Sequence, residues 1–519
     1  MKLLKSTAKV GAATITSRIL GFVRDMVFAR YFGASGATDA FFLAFKIPNF
    51  MRRLFAEGSF SLAFVPVLSE VRASGDRRAL KDLVDHAAGT LAGILLVLTA
   101  LGVMFAPVLI GVFAPGWVID QRPEFGLAAD MLRVTFPYIL LISLTALAGG
   151  ILNTFDRFLI PALTPVLLNL SLIAAAMLLS ARMEVPVKAL AWGVLVAGFL
   201  QLIVQAPSLL RLGLLPRPRW GWRHPGVRRI LKLMIPTLVG SSVAQINMLV
   251  DVVIATFLVS GSVTWLYYSD RLLEFPLGVF GVALSTVILP NLSRKFARQS
   301  PHEFSATLDW ALRLAVIITL PAALGLAVLA KPILVTLFNY KAFVLHDVEM
   351  SALSLSAYAV GLPAFIAVKV LAPGFYARQD TRTPVKIAVT AMVSNMVLNL
   401  VFVGVLVAMG FRGPHMGLAL ASSVAAYINA GLLYRMLRRH GVYKPEPGWG
   451  RVVLAVAAAC AAMVAVLVWQ HGGVPEWTGA RAWSRAGRLT LLVSAGALVY
   501  LVALVVGGLR REHLEKGSS

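Results

Sequence analysis

Ionisable side chains interrupt the apolar runs of this chain at only a few places. Arg18, Arg24, Asp25 and Arg30 fall in the first run and Asp39, Lys46, Arg52, Arg53 and Glu57 in the second. Asp270, Arg271 and Glu274 fall in a later run, and Asp251 in the one before it. A charge at the centre of a bilayer costs at least a few kcal/mol unless it meets protein, water or a ligand, so each of these residues needs a reason to be there. On a helix, Ser17, Arg18, Gly21, Arg24 and Asp25 share an arc of roughly 120°. Asp39, Lys46, Arg53 and Glu57 lie near one line, with Asn49 and Arg52 to one side, subject to a bend at Pro48. Two readings follow: ion pairs that tie helices together, or a wet cavity whose counter-charge arrives with an anionic ligand. Basic groups slightly outnumber acidic ones in these runs, and the planar, always-charged fork of arginine suits phosphate oxygens. That excess favours the cavity.

The elements that position these groups must be membrane helices. In 519 residues, 58% hydrophobic content and 14% charge with a mean hydropathy of +0.80 cannot be buried inside soluble domains, so the solvent is lipid. A hydrocarbon core of about 30 Å takes about 20 apolar residues per helix, and such runs recur along the whole chain. They predict about 14 transmembrane helices, near residues 8–32, 37–70, 84–113, 126–152, 158–180, 187–209, 228–258, 263–292, 306–329, 350–376, 384–409, 414–437, 450–470 and 485–508. Internal prolines (Pro48, Pro137, Pro276, Pro363) predict kinks or broken segments lining a cavity.

The formal charge of +24 has no soluble basic module to carry it, which argues against nucleic acid and for the membrane surface. The basic clusters Arg72 to Lys81, Arg211 to Lys232, Arg294 to Arg298 and Arg435 to Lys444 land on one face when an even number of spans alternates. Both termini are therefore expected to be cytoplasmic. The first run is read as a retained helix rather than a cleaved signal, because Arg18, Arg24 and Asp25 interrupt it. Arg133 and Arg313, near span ends, are expected to snorkel, and Trp192 and Trp477 to anchor at the interface. Cys460, the single cysteine, sits in an apolar run and is expected to be inert packing. No P-loop, HExxH, dinucleotide fingerprint or cysteine pair is present, so no enzymatic chemistry and no ATPase engine is expected.

A weak internal similarity recurs at an offset of about 225 residues. SLAFVPVLS from Ser61 aligns with STVILPNLS from Ser285, and YFGASGATDAFF from Tyr31 with TFLVSGSVTWLY from Thr256. A repeat of this size is expected of a transporter built from two related bundles.

The segments SRILGFVRDMVFARYFGA from Ser17, TDAFFLAFKIPNFMRRLFAEGSFSLAFVPVLSE from Thr38, FPYILLISL from Phe136, YYSDRLLEFPLGVFGVAL from Tyr267 and LAPGFYARQDTRTPVKIA from Leu371 closely resemble the bacterial lipid II flippase family MurJ (MviN). That family belongs to the multidrug/oligosaccharidyl-lipid/polysaccharide exporter superfamily. The resemblance runs to about residue 450 and implies an all-α polytopic membrane protein with two MATE-like six-helix lobes plus two C-terminal helices. The expected parts are an N-terminal lobe over 1–212, a C-terminal lobe over 213–440 with a basic linker at 211–232, a tail groove over 441–511, and a tail at 512–519.

The resemblance also implies a central cationic cavity and alternating access in the bacterial inner membrane. The partners would be lipid II, membrane lipids and cell-wall synthesis proteins. By this resemblance Arg18, Arg24, Arg52 and Arg271 contact the diphosphate and adjoining headgroup, Ser17 and Asn49 supply neutral hydrogen bonds, and Asp25, Asp39, Glu57 and Glu274 orient arginines or close gates. It implies no organic cofactor, and a sodium ion at Asp251, Asn395 and Asn399, where two of the three side chains are neutral amides. The rival readings are a flippase for another polyprenyl-linked oligosaccharide, a MATE-type drug antiporter and a membrane scaffold.

Overall fold

The computed structural model describes residues 2–52 and 60–508, leaving aside the side chains of 2–9, 61–62, 236–248 and 282. Among the described residues there are helices and no strand. The chain divides into two compact units, Met1–Thr264 and Trp265–Ser519. The first holds α1 (Lys2–Phe32), α2 (Gly36–Arg52), α3 (Ser61–Ala73), α4 (Arg77–Met104), α5 (Ala106–Phe113), α6 (Pro115–Ile119), α7 (Pro123–Thr135), α8 (Tyr138–Thr154), α9 (Leu159–Ala174), α10 (Lys188–Leu212) and α11 (Pro225–Ala255). From α12 (Ser262–Pro276) the chain continues through α13 (Val282–Ala297), α14 (Pro301–Val328), α15 (Ala330–Phe338), α16 (Leu345–Tyr376), α17 (Arg382–Ala408), α18 (Met416–Arg439), α19 (Trp449–Gln470), α20 (Val474–Thr478) and α21 (Ala482–Val506). Helix α11 thus groups with the first unit, whereas the sequence placed a lobe boundary near residue 212.

Eleven described stretches are long and apolar enough to cross a bilayer. The expected spans at 8–32, 37–70 and 228–258 are not among them. The first two are the runs richest in internal charge, and parts of the second and third lie outside the described residues or side chains. Outward faces are apolar: Ile19 is 59% exposed and Leu454 72%, as lipid contact requires.

The repeat reappears in the helix boundaries. Offset by 225 residues, α4 maps onto α14, α5 onto α15, α7 with α8 onto α16, α9 onto α17 and α10 onto α18, each start within about three residues. One difference is chemical. Pro137 separates α7 from α8, while α16 runs unbroken through Pro363 and Pro373. Proline lacks the N–H for the helical ladder and clashes with the preceding turn, but a membrane helix tolerates it where neighbours satisfy the freed groups.

In the first unit the core joins α3, α4, α8 and α10 through Phe64, Leu83, Leu147, Ile151 and Leu209. Asp76 starts α4 by accepting hydrogen bonds from the backbone N–H groups of Arg78 (2.8 Å) and Ala79 (3.0 Å), which satisfies two otherwise orphaned donors. In the second unit α16 packs on α14 and α18. Gly361 allows the close approach to α18, since a Cβ there would lie 2.5 Å from Ser423 Oγ. Helices α19 and α21 pair with each other and lean on α14 and α15. Arg485 fastens α21 by donating to the carbonyls of Val335, Asn339, Thr478 and Ala480, and Tyr500 donates to the Ile317 carbonyl at 2.6 Å.

Two sequence expectations are corrected here. Arg313 does not snorkel: it is 9% exposed and donates to Asp309 (2.7 Å) and to the carbonyls of Glu446 and Pro447. Asp309 also accepts from Tyr443 Oη, Trp449 Nε1 and the Glu446 N–H, so a buried charged hub ties α14 to the α18–α19 connection. Trp477 is buried, with its indole N–H donated to the His471 carbonyl at 2.6 Å. Trp192 and Arg133 do reach the surface.

Candidate functional site

Helix α1 carries a polar constellation that reaches α9. Arg24 donates through Nε and Nη2 to Asp25 Oδ1 (3.0 and 2.6 Å) and through Nη1 to Asn169 Oδ1 on α9 (3.1 Å). Asn169 in turn donates to the Ser17 carbonyl at 3.0 Å. Asp25 is fully buried, and the Arg24 guanidinium sits 5.6 Å from the Phe28 ring centroid, a cation–π distance. The ion pair joins neighbours on one helix. It therefore orients the guanidinium, while the tie to α9 runs through a neutral amide. Arg18 is exposed one turn and a half away, and Ser17 contributes its backbone oxygen rather than its hydroxyl to this network.

On α2, Arg52 donates through Nε and Nη2 to Asn49 Oδ1 (3.0 and 2.8 Å), joining two residues that the helical wheel placed side by side. Asp39, at the other end of α2, is buried and takes three hydrogen bonds: from Gly261 N–H (2.6 Å), Thr264 N–H (2.8 Å) and Thr264 Oγ1 (2.6 Å). Gly261 has φ of 98°, a conformation suited to glycine, and this turns its N–H toward the carboxylate. Asp39 and Thr264 stand 225 residues apart, the repeat offset, so each meets its own counterpart. Beside them Ser260 Oγ donates to Glu124 Oε1 at 2.6 Å. These bonds latch α2 and α7 to the turn entering α12. Glu57 and Arg53 lie outside the described residues.

In the second unit Arg271 pairs with Glu274 one turn along α12 (2.9 Å). On α17, Asn399 donates to Asn395 Oδ1 (3.1 Å), and Asn395 donates to Ser422 Oγ on α18 (3.3 Å). Asp251 is half-buried near the end of α11, in the first unit. The two amides and the aspartate are thus described in separate units.

A family model described as "Lipid II flippase MurJ" matches residues 28–479. The chain is 46% identical over 520 residues to the probable lipid II flippase MurJ of Vibrio cholerae serotype O1, covering 99% of this chain and 98% of that protein. It is 43% identical to the lipid II flippase MurJ of Burkholderia cenocepacia, covering 98% and 97%. The chain belongs to the MurJ family. A solved structure of lipid II flippase MurJ in an inward closed conformation aligns with a TM-score of 0.78 at 28% identity, over 96% of this chain and 98% of that one. An inward-facing MATE transporter aligns at 0.64 and 15%, over 82% and 95%, which shows a MATE-like fold, while the family and the apolar helices make this a multi-pass membrane protein.

Within this family frame, Asn169 is the site residue that sequence reasoning missed. Its signal was available: a buried amide in an otherwise apolar run, which a membrane helix carries at a cost unless it bonds across to a neighbour. The polar ladder behind it was missed as well. Tyr138 Oη donates to Gln201 Oε1 (3.2 Å), Gln201 to the Thr164 carbonyl (2.7 Å) and Gln205 to the Thr145 carbonyl (3.1 Å), fixing α8, α9 and α10 to one another.

Proposed function

We infer that this protein is a lipid II flippase, a transporter and not an enzyme. It moves the undecaprenyl-diphosphate-linked disaccharide-pentapeptide from the cytoplasmic to the periplasmic leaflet of the bacterial inner membrane, with both termini cytoplasmic. The observation that carries this reading is near-full-length kinship with lipid II flippases. The charged faces of α1 and α2 supply the chemistry the task needs. A diphosphate headgroup cannot shed its water in hydrocarbon, and fixed guanidiniums replace that hydration with charge-assisted hydrogen bonds.

In this reading Arg18, Arg24, Arg52 and Arg271 bind the diphosphate and its neighbourhood. Asp25, Asn49, Asn169 and Glu274 aim them, Ser17 completes the α1 network, and Asp39 is a gate latch that opens and closes with access. Glu57 is assigned to the same gating group. Ligand charge would relieve repulsion among the arginines and favour closure around the headgroup.

Reconstituted in vesicles containing lipid II, the protein should move it across the bilayer, and a cell depleted of the protein should accumulate lipid II inside. Vesicles in which lipid II stays put while another polyprenyl-diphosphate sugar moves would overturn the assignment. A sodium ion on Asp251, Asn395 and Asn399 belongs to the same proposal. With one carboxylate among three ligands the ion would be held weakly, so replacing sodium by choline should slow flipping measurably but not stop it. Equal rates in both salts would remove sodium from the account.

A further inference from the structure

A cluster of metal-ligating side chains lies apart from the charges of α1 and α2. Asp82 and His86 stand one turn apart on α4, and His224 is the residue before α11. One nitrogen of each ring and a carboxylate oxygen fall within 4.8 Å of one another. We propose that Asp82, His86 and His224 form a binding site for a divalent transition-metal ion of the zinc class, with water in the remaining position.

The donor set is two imidazoles and one carboxylate, which suits an ion of intermediate softness. His224 Nε2 lies 3.2 Å from Asp82 Oδ2. Bonds of about 2.0–2.1 Å in a tetrahedron set donor atoms roughly 3.3 Å apart, so this pair already has the spacing of two ligands on one ion. The two rings are stacked, with centroids 5.0 Å apart and planes at 15°. His86 Nδ1 is 2.9 Å from the Asp82 carbonyl oxygen and 3.2 Å from Asp82 Oδ1, so the Asp82 carboxylate lies against one nitrogen of each ring.

The backbone around the cluster is built to hold it. The segment before His224 is clamped onto α4 by hydrogen bonds from Arg217 N–H to Asp85 Oδ1 (2.7 Å), Arg219 N–H to the Asp85 carbonyl (3.0 Å) and Gly221 N–H to Thr90 Oγ1 (3.1 Å). A Cβ at Gly221 would come within 2.6 Å of His86 Cδ2, so glycine is what lets the strand of chain close over the ring. In the metal-free tautomer His224 Nδ1 accepts a long 3.2 Å hydrogen bond from Gly226 N–H. Loading an ion on Nε2 moves the ring proton to Nδ1 and exchanges that contact for a coordination bond. The ion would staple the start of α11 to α4, within the first unit.

The test uses the full chain, freed of any histidine tag, in nanodiscs dialysed against chelator-buffered zinc, with bound metal measured by mass spectrometry. About one zinc per chain is expected, falling to background in His86→Ala and in His224→Asn. The asparagine keeps an acceptor at the start of α11, so its loss of zinc reports ligation and not unfolding. Binding is read without flipping, so its outcome is independent of the transport assignment. A wild-type chain that takes up no zinc at micromolar free ion, or either variant retaining it, would overturn the site.

Discussion

Arg24 is useful to an anionic ligand only if its fork is aimed, and hydrogen bonds to Asp25 and Asn169 help to aim it. A hydrogen bond to a charged group is worth about 1.5–3 kcal/mol, roughly tenfold or more in an equilibrium. Asn169→Leu should therefore lower the flipping rate about tenfold while the protein stays folded, as read by lipid II transfer and by thermal unfolding of the same preparation. An unchanged rate would mean that Arg24 needs no aiming from α9. The charges themselves were legible in the sequence because lipid makes each one conspicuous. Their partners were not, because a hydrogen bond 145 residues away in the chain leaves no local trace. Arg313 shows the converse. Its position near a span end suggested snorkelling, and only the fold reveals that Asp309 and two carbonyls enclose it.

At the scale of elements, the buried hub around Asp309 decides how α14 holds the α18–α19 connection. Removing one member of a buried ion pair leaves the other charge uncompensated, at a cost of about 3–5 kcal/mol. Asp309→Ala should lower the thermal midpoint by far more than Asp76→Ala, which removes only a helix cap worth about 1 kcal/mol. Equal shifts would show that the hub is solvated. Most helices were readable from apolar runs, and the weak 225-residue similarity proves to be carried by matched helix boundaries. The sequence marked Pro137 and Pro363 alike as places for a kink or break; what it did not reveal is that the helix parts at Pro137 while α16 stays continuous through Pro363 and Pro373. Proline marks a place where a ladder bond is missing, and the surrounding packing decides whether the helix parts there.

For the whole molecule the question is how an anion with sugars crosses lipid without an ATPase. The membrane potential, negative inside, favours outward movement of negative charge by about 2.3 kcal/mol per charge per 100 mV, and in the proposed reading fixed arginines would offset the desolvation barrier that otherwise holds the headgroup back. The account stands on those arginines meeting the substrate. The direct measurement is lipid II transfer in vesicles by wild type, Arg24→Ala and Arg271→Ala, each checked for a folded, monodisperse state. Both variants are predicted to be folded and to lose transfer; wild-type transfer by both folded variants would contradict the account.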